Sequence, residues 1–223
     1  MLKALIALGG REVREEQIAD LLWSESDGDA SHISFLTTLH RLRKLLDHEK
    51  AIQYREGRLT LNDKYCWVDI WAFEQILGQA ESQWNDGLTE TAVQFIEKAL
   101  EMYKGPFLAE DMDQSWGISM RERLISKFLR NLNRLAHHWG EVGEWEKAVE
   151  YYEKGLEVND LIEELYQQLM TCYQRLGRKA EALAVYHRCR KTLHAALGIE
   201  PSPKTEAIYR SILSESPTME KMR

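Results

Sequence analysis

From Asp69 onward, apolar residues recur at helical spacing almost without a break, whereas the first 64 residues change period several times. "LKALIAL" reads as a short helix stopped by Gly9-Gly10, since glycine enters the left-handed conformation that closes helices. "REEQIADLLW" sets Ile18, Leu21 and Leu22 on one helical face, with glutamates in the first turn where the helix dipole favours them. "SESDGD" is a polar turn, after which Asp29 or Ser31 is expected to cap a longer helix, "SHISFLTTLHRLRKLL". "AIQYR" and "RLTLN" alternate around Glu56-Gly57, which predicts a β-hairpin. The predicted order is helix, helix, longer helix, hairpin.

The helical remainder repeats. "GEWEKAVEYYEKGL" and "GRKAEALAVYHRCR" superimpose Gly143 on Gly177, Ala148 on Ala182 and Tyr152 on Tyr186, a shift of 34 positions. Leu135 and Trp139 meet Leu169 and Tyr173 at the same shift. A helical period of 34 is the tetratricopeptide signature, in which small residues let helices approach and aromatics fill the grooves beside them. A third, partial copy, "GLTETAVQFIEKALEMY", is separated by extra residues that include "GPFLAEDMDQSW". At the C-terminal end, Gly198 predicts a helix stop. Ser202-Pro203 predicts the cap and first position of a last helix, with Ile208, Tyr209, Ile212 and Leu213 as its apolar face. The last ten or so residues are polar and are expected to fray.

Charge then changes the picture of the longer helix. The net charge of the chain is −7, which excludes a nucleic-acid affinity spread over the whole surface. Residues 12–29 are acidic, with seven carboxylates against Arg14, while residues 40–58 carry six cations against three carboxylates. On a helical wheel Phe35, Leu39, Leu42 and Leu46 share one side, and Ile33, Thr37, His40 and Lys44 the other, flanked by Ser34 and Arg41. Such a polar, basic face is usually just solvated. Its placement directly before a hairpin bearing Arg55 and Arg58 also suits a helix in the major groove. In that reading Arg41 and Lys44 contact phosphate or guanine, and Ser34, Thr37 and His40 face base edges or backbone. Arg55 and Arg58 reach an adjacent groove. Leu36, at the border of this face, is where a polar residue would be expected; it is open whether it packs against a sheet or touches a thymine methyl.

Other chemistry is sparse. There is no GxxxxGK, GxSxG or CxxC motif, so no catalytic or cofactor-binding residue is assigned. His137 and Glu141 have i, i+4 spacing, but two ligands are too few for a metal site. Cys66, Cys172 and Cys189 are scattered and read as reduced thiols, which favours a cytoplasmic protein. No apolar run is long enough to span a membrane.

"YKGPFL", "SWGISMRERL", the Ala-and-Tyr repeats and "LGIEPSPKTEAIYRSIL" closely resemble the bacterial transcriptional activator domain of SARP-like regulators. "LHRLRKLL", "YREGRLTL" and "VDIWAFEQIL" resemble the OmpR-type winged helix that precedes that domain in the same family. The resemblance implies a mainly α protein. Residues 1–64 would be a partial winged helix-turn-helix with a β-hairpin wing, and residues 65–223 an all-α, tetratricopeptide-like array. It implies double-stranded DNA as partner, with the helical domain supporting dimer formation, regulation or contact with RNA polymerase. Family members carry a small sheet ahead of the first helix, so a chain starting at "MLKALIALGG" is expected to be a fragment of a longer regulator or a trimmed fold. An upstream receiver or ATPase region is a further expectation. Trp67, Val68, Ile70, Trp71 and Phe73 are expected to pack the two parts together. The alternative, from a different class, is an interaction scaffold whose repeats bind protein while residues 1–64 only cap the array.

Overall fold

The computed structural model describes residues 1–25 and 27–214. The expected frayed tail falls almost wholly on residues outside these. By the packing of the chain on itself, it forms two compact units, residues 1–126 and 127–223.

In the first unit, α1 (Leu2–Ala7) ends at Gly9 and Gly10, both at positive φ, as their placement predicts. Gly10 is required sterically as well, because a Cβ there would lie 2.6 Å from the Trp71 ring. Two residues of strand follow, β1 (Val13–Arg14), then α2 (Glu15–Leu22) and α3 (Gly28–Leu45). The cap of α3 is Asp27, whose side chain accepts from the Gly28 amide, so the helix begins before the expected Asp29 or Ser31. The hairpin is β2 (Ile52–Arg55) and β3 (Arg58–Leu61), and Glu56 and Gly57 both take positive φ, as a tight two-residue turn demands. The antiparallel sheet has the order β1-β3-β2. Leu5, Ile18, Phe35, Leu39, Ile52 and Leu59 close a core between sheet and helices, with Leu42 and Leu46 at its edge.

α4 (Asp69–Asn85) and α5 (Thr89–Met102) form a packed helical pair. Ile70 and Phe73 are buried and Trp71 packs on the N-terminal core, but Trp67 is 77% exposed and takes no part in that packing. The interrupting segment of residues 103–117 carries two 3-10 turns and is tied down at several points. Lys3 of α1 pairs with Asp111 at 2.6 Å, Trp116 packs on the N-terminal core, and Arg121 donates to the carbonyls of Asp111, Met112 and Gln114.

α6 (Ile118–Glu141) spans the division. The second unit continues with α7 (Trp145–Val158), α8 (Glu163–Arg175), α9 (Lys179–Leu197) and α10 (Pro203–Ser214). The array is tetratricopeptide-like, and its repeat is visible atom by atom. Ala148 and Ala182 are fully buried at equivalent places, and Tyr152 and Tyr186 are buried beside them. Gly87, Gly143 and Gly177 all take positive φ between consecutive helices. Each turn has the same two hydrogen bonds: the glycine amide to the carbonyl three residues back, and the next amide to the carbonyl five residues back. This is the Schellman closure. α10 is anchored by buried polar groups: the Thr205 hydroxyl donates to Glu163 and accepts from Gln167, and Glu163 also accepts from the Ser202 amide. Leu213, expected on the buried face of α10, is half exposed.

Candidate nucleic-acid interface

α3 is held in place from three sides. Phe35 and Leu39 are buried in the core. At its N-terminal end, Glu15 of α2 bridges His32 of α3 and the Tyr54 hydroxyl of β2. The hydrogen bond to Glu15, with burial, pushes the Tyr54 phenol up to about 12. At its C-terminal end, Arg43 donates from Nε and Nη2 to the Ile52 carbonyl, at 3.0 and 2.9 Å, fixing the helix to the start of β2. Arg43 stands in the basic stretch of the sequence, yet its work is structural, and no local signal separates it from its neighbours.

On the outer face, Thr37, His40, Arg41 and Lys44 are all exposed, while Ser34 is half-buried. Among the described residues no carboxylate forms an ion pair with Arg41, Lys44 or Arg55. A polar cavity of about 690 Å³ gathers His40, Lys44 and Arg55 with Arg43, Lys50 and Tyr54; Asp47 and Glu49 also line it. Ser34, Thr37 and Arg41 lie on α3 outside this cavity.

The sheet adds a feature that depends on register and is invisible in the linear sequence. Arg14 of β1 pairs with Arg58 of β3, which pairs with Arg55 of β2. Directly opposed residues share a face, so three exposed arginines stand in a row across the end of the sheet. Like charges in that arrangement are destabilising unless an anion neutralises them. Arg58 is partly answered within the chain: its guanidinium donates to the Glu12 carbonyl at 3.3 Å and lies 4.0 Å from the Glu12 carboxylate. The strand β1 that completes the row went unpredicted, because two residues carry no periodicity.

Other candidate chemistry resolves simply. His137 and Glu141 form an exposed pair at 3.9 Å, and among the described residues no group of three or more His, Cys, Asp or Glu side chains could hold a metal ion. The three cysteines are free thiols, and burial pushes Cys172 up to about 11 and Cys189 to about 12, which leaves them poor nucleophiles. Among the described residues no helix is long and apolar enough to cross a membrane.

Residues 68–213 match the bacterial transcriptional activator domain. The chain belongs to that family. It is 27% identical over 213 residues to the regulatory protein AfsR of Streptomyces griseus, covering 96% of this chain and 22% of AfsR. It is 24% identical to the transcriptional regulatory protein MoaR1 of Mycobacterium tuberculosis, covering 97% of this chain and 72% of MoaR1. Its fold is similar to that of Mycobacterium tuberculosis EmbR, solved in complex with a low-affinity phosphopeptide. The TM-score there is 0.74 at 23% identity, over 97% of this chain and 60% of EmbR. The chain thus spans about a fifth of AfsR and three fifths of the EmbR structure. By name, MoaR1 is a transcriptional regulatory protein and AfsR a regulatory protein.

Proposed function

We propose that this activator-domain chain is the DNA-binding and helical-repeat part of a cytoplasmic bacterial transcriptional regulator, acting as an activator. Residues 1–64 serve as a winged helix that sets α3 in the major groove, with the β2–β3 hairpin as its wing. Residues 65–223 serve as the domain for oligomerisation, regulation or RNA polymerase contact.

The observation that carries this reading is the outer face of α3. Thr37, His40, Arg41 and Lys44 are exposed there, and the two cations have no carboxylate partner among the described residues of a chain with net charge −7. A net acidic protein that leaves such a face unneutralised is suited to a local polyanion. Bases are read in the major groove, and phosphates fix register. Arg41 and Lys44 supply phosphate or guanine contacts, Thr37 and His40 face base edges, and Ser34 sits at the margin. Arg55 and Arg58, with Arg14 beside them, form the wing's basic row. Arg43 positions α3 through its hydrogen bonds to the Ile52 carbonyl.

The test is a duplex-binding titration between about 50 and 200 mM salt, where counterion release makes log affinity fall linearly with log salt. The expected result is a negative slope of several units, with Arg41→Ala or Lys44→Ala each weakening binding to every sequence. An affinity that neither salt nor these substitutions alter means that the groove-reading assignment is wrong.

A further inference from the structure

α3 exposes more apolar surface than its packing explains. Phe35 and Leu39 are buried, and Leu42 and Leu46 pack on the core, so the inner stripe is complete. Leu45 is nevertheless 82% exposed near the C-terminal end; in the N-terminal half Ile33 is 65% exposed and Leu36 40% exposed, and neither packs on the N-terminal core. With exposed Thr37 they occupy positions i, i+3 and i+4 of the N-terminal half of the helix. The cations Arg41 and Lys44 are confined to the C-terminal half.

We propose that Ile33 and Leu36 read thymine 5-methyl groups in the major groove, so that this chain selects duplexes with thymine at one or two defined steps. The inference rests on the DNA-binding reading above. In helix-turn-helix docking the N-terminal part of the recognition helix faces base edges. Of the features that base pairs show in the major groove, the thymine methyl is the one large apolar group; beside the small C5–H of cytosine, the rest are hydrogen-bond donors and acceptors. Apolar side chains at those positions therefore desolvate donors and acceptors without return at any base but thymine. The flanking cations set the class of occupant: an apolar strip beside Arg41 and Lys44 matches the grooved, phosphate-edged surface of a duplex better than an apolar partner face.

The experiment uses the full chain and a pool of duplexes with a random core. The tightest-binding duplex is selected, and each of its thymines is then replaced singly by deoxyuridine, which removes the methyl and leaves every hydrogen-bonding group. At one or two positions affinity is expected to fall about four-fold, the factor equivalent to ~0.8 kcal/mol for one buried methyl. Ile33→Ala or Leu36→Ala should erase that thymine–uracil difference at its own position while leaving the salt slope intact. Arg41→Ala should weaken both forms equally. Uniform affinity across all uridine duplexes, with the salt slope preserved, overturns the methyl assignment and leaves DNA binding standing. A pool from which no duplex is retained at about 50 mM salt overturns both. If Ile33→Ala and Leu36→Ala lower the melting temperature by several degrees, the two side chains are covered by protein, and the assignment also fails.

Discussion

The same five-residue pattern occurs twice in this chain, on two helices with different fates. α3 carries His40-Arg41-Leu42-Arg43-Lys44, and α9 carries His187-Arg188-Cys189-Arg190-Lys191. In both, the central apolar residue turns inward: Leu42 packs at the edge of one core and Cys189 is fully buried in the other. On α9 the arginines are answered by the chain itself. Arg188 pairs with Glu153 and Arg190 with Glu200, each at 2.8 Å, and Arg188 also lies over the Tyr166 ring. On α3, Arg43 is spent on the Ile52 carbonyl, and Arg41 and Lys44 meet no carboxylate of the described residues. The difference between the two stretches is that the fold brings its own acids to the arginines of α9 and to neither Arg41 nor Lys44 of α3.

The largest effect that bears on this contrast comes from beneath α3. Phe35→Ala empties a fully buried ring site and should cost about 3–5 kcal/mol in denaturant unfolding, with duplex binding lost in parallel. Binding that survives at full strength would mean that α3 does not depend on its core seat. Next is the matched pair Arg43→Ala and Arg190→Ala. Removing Arg43 strips both side-chain donors from the Ile52 carbonyl and should cost about 1–3 kcal/mol. Removing Arg190, which is 55% exposed, breaks a surface pair worth at most about 1 kcal/mol. Equal losses measured by urea unfolding would erase the distinction between the two stretches.

A subtler contrast lies in the acids. Glu15 is consumed in holding α3, through His32 and Tyr54, and Glu163 is consumed in holding α10. Burial raises the Glu163 pKa, but hydrogen bonds from Thr205, Ser202 and Gln167 outweigh it and hold the carboxyl below its ordinary 4.5. The folded state then binds fewer protons than the unfolded chain. Its contribution is fully present above about pH 4.5 and is lost as pH falls through the lowered value. Thr205→Ala should cost about 1–2 kcal/mol near neutral pH, and both it and Glu163→Gln should flatten the acid limb of the stability–pH curve. An acid limb unchanged in both variants would remove Glu163 from the account of α10.

The legible and illegible parts of the molecule divide by range. The helices, the Glu56-Gly57 turn and the glycine stops at Gly9-Gly10 and Gly198 are written in local periodicity and in residues that tolerate positive φ, so the sequence shows them directly. The core of α3 was readable for the same reason. β1 was not, since Val13 and Arg14 become a strand only by pairing with Leu59 and Arg58. The arginine row follows from that register and from nothing nearer. Lys3 and Asp111 lie 108 positions apart, so the tie between α1 and the interrupting segment leaves no local trace. The exposure of Trp67 and the structural duty of Arg43 were equally hidden, because each depends on what the fold places beside the side chain.

The central claim is that the basic pattern on α3 meets a polyanion and its twin on α9 does not. The direct measurement is the salt slope of duplex affinity for two matched variants, Arg41→Ala/Lys44→Ala and Arg188→Ala/Lys191→Ala. Each removes the same two charges from equivalent places. The first should reduce the slope by about two units and the second should leave it unchanged, since each phosphate contact contributes about 0.9. Equal slopes in the two variants would contradict the claim.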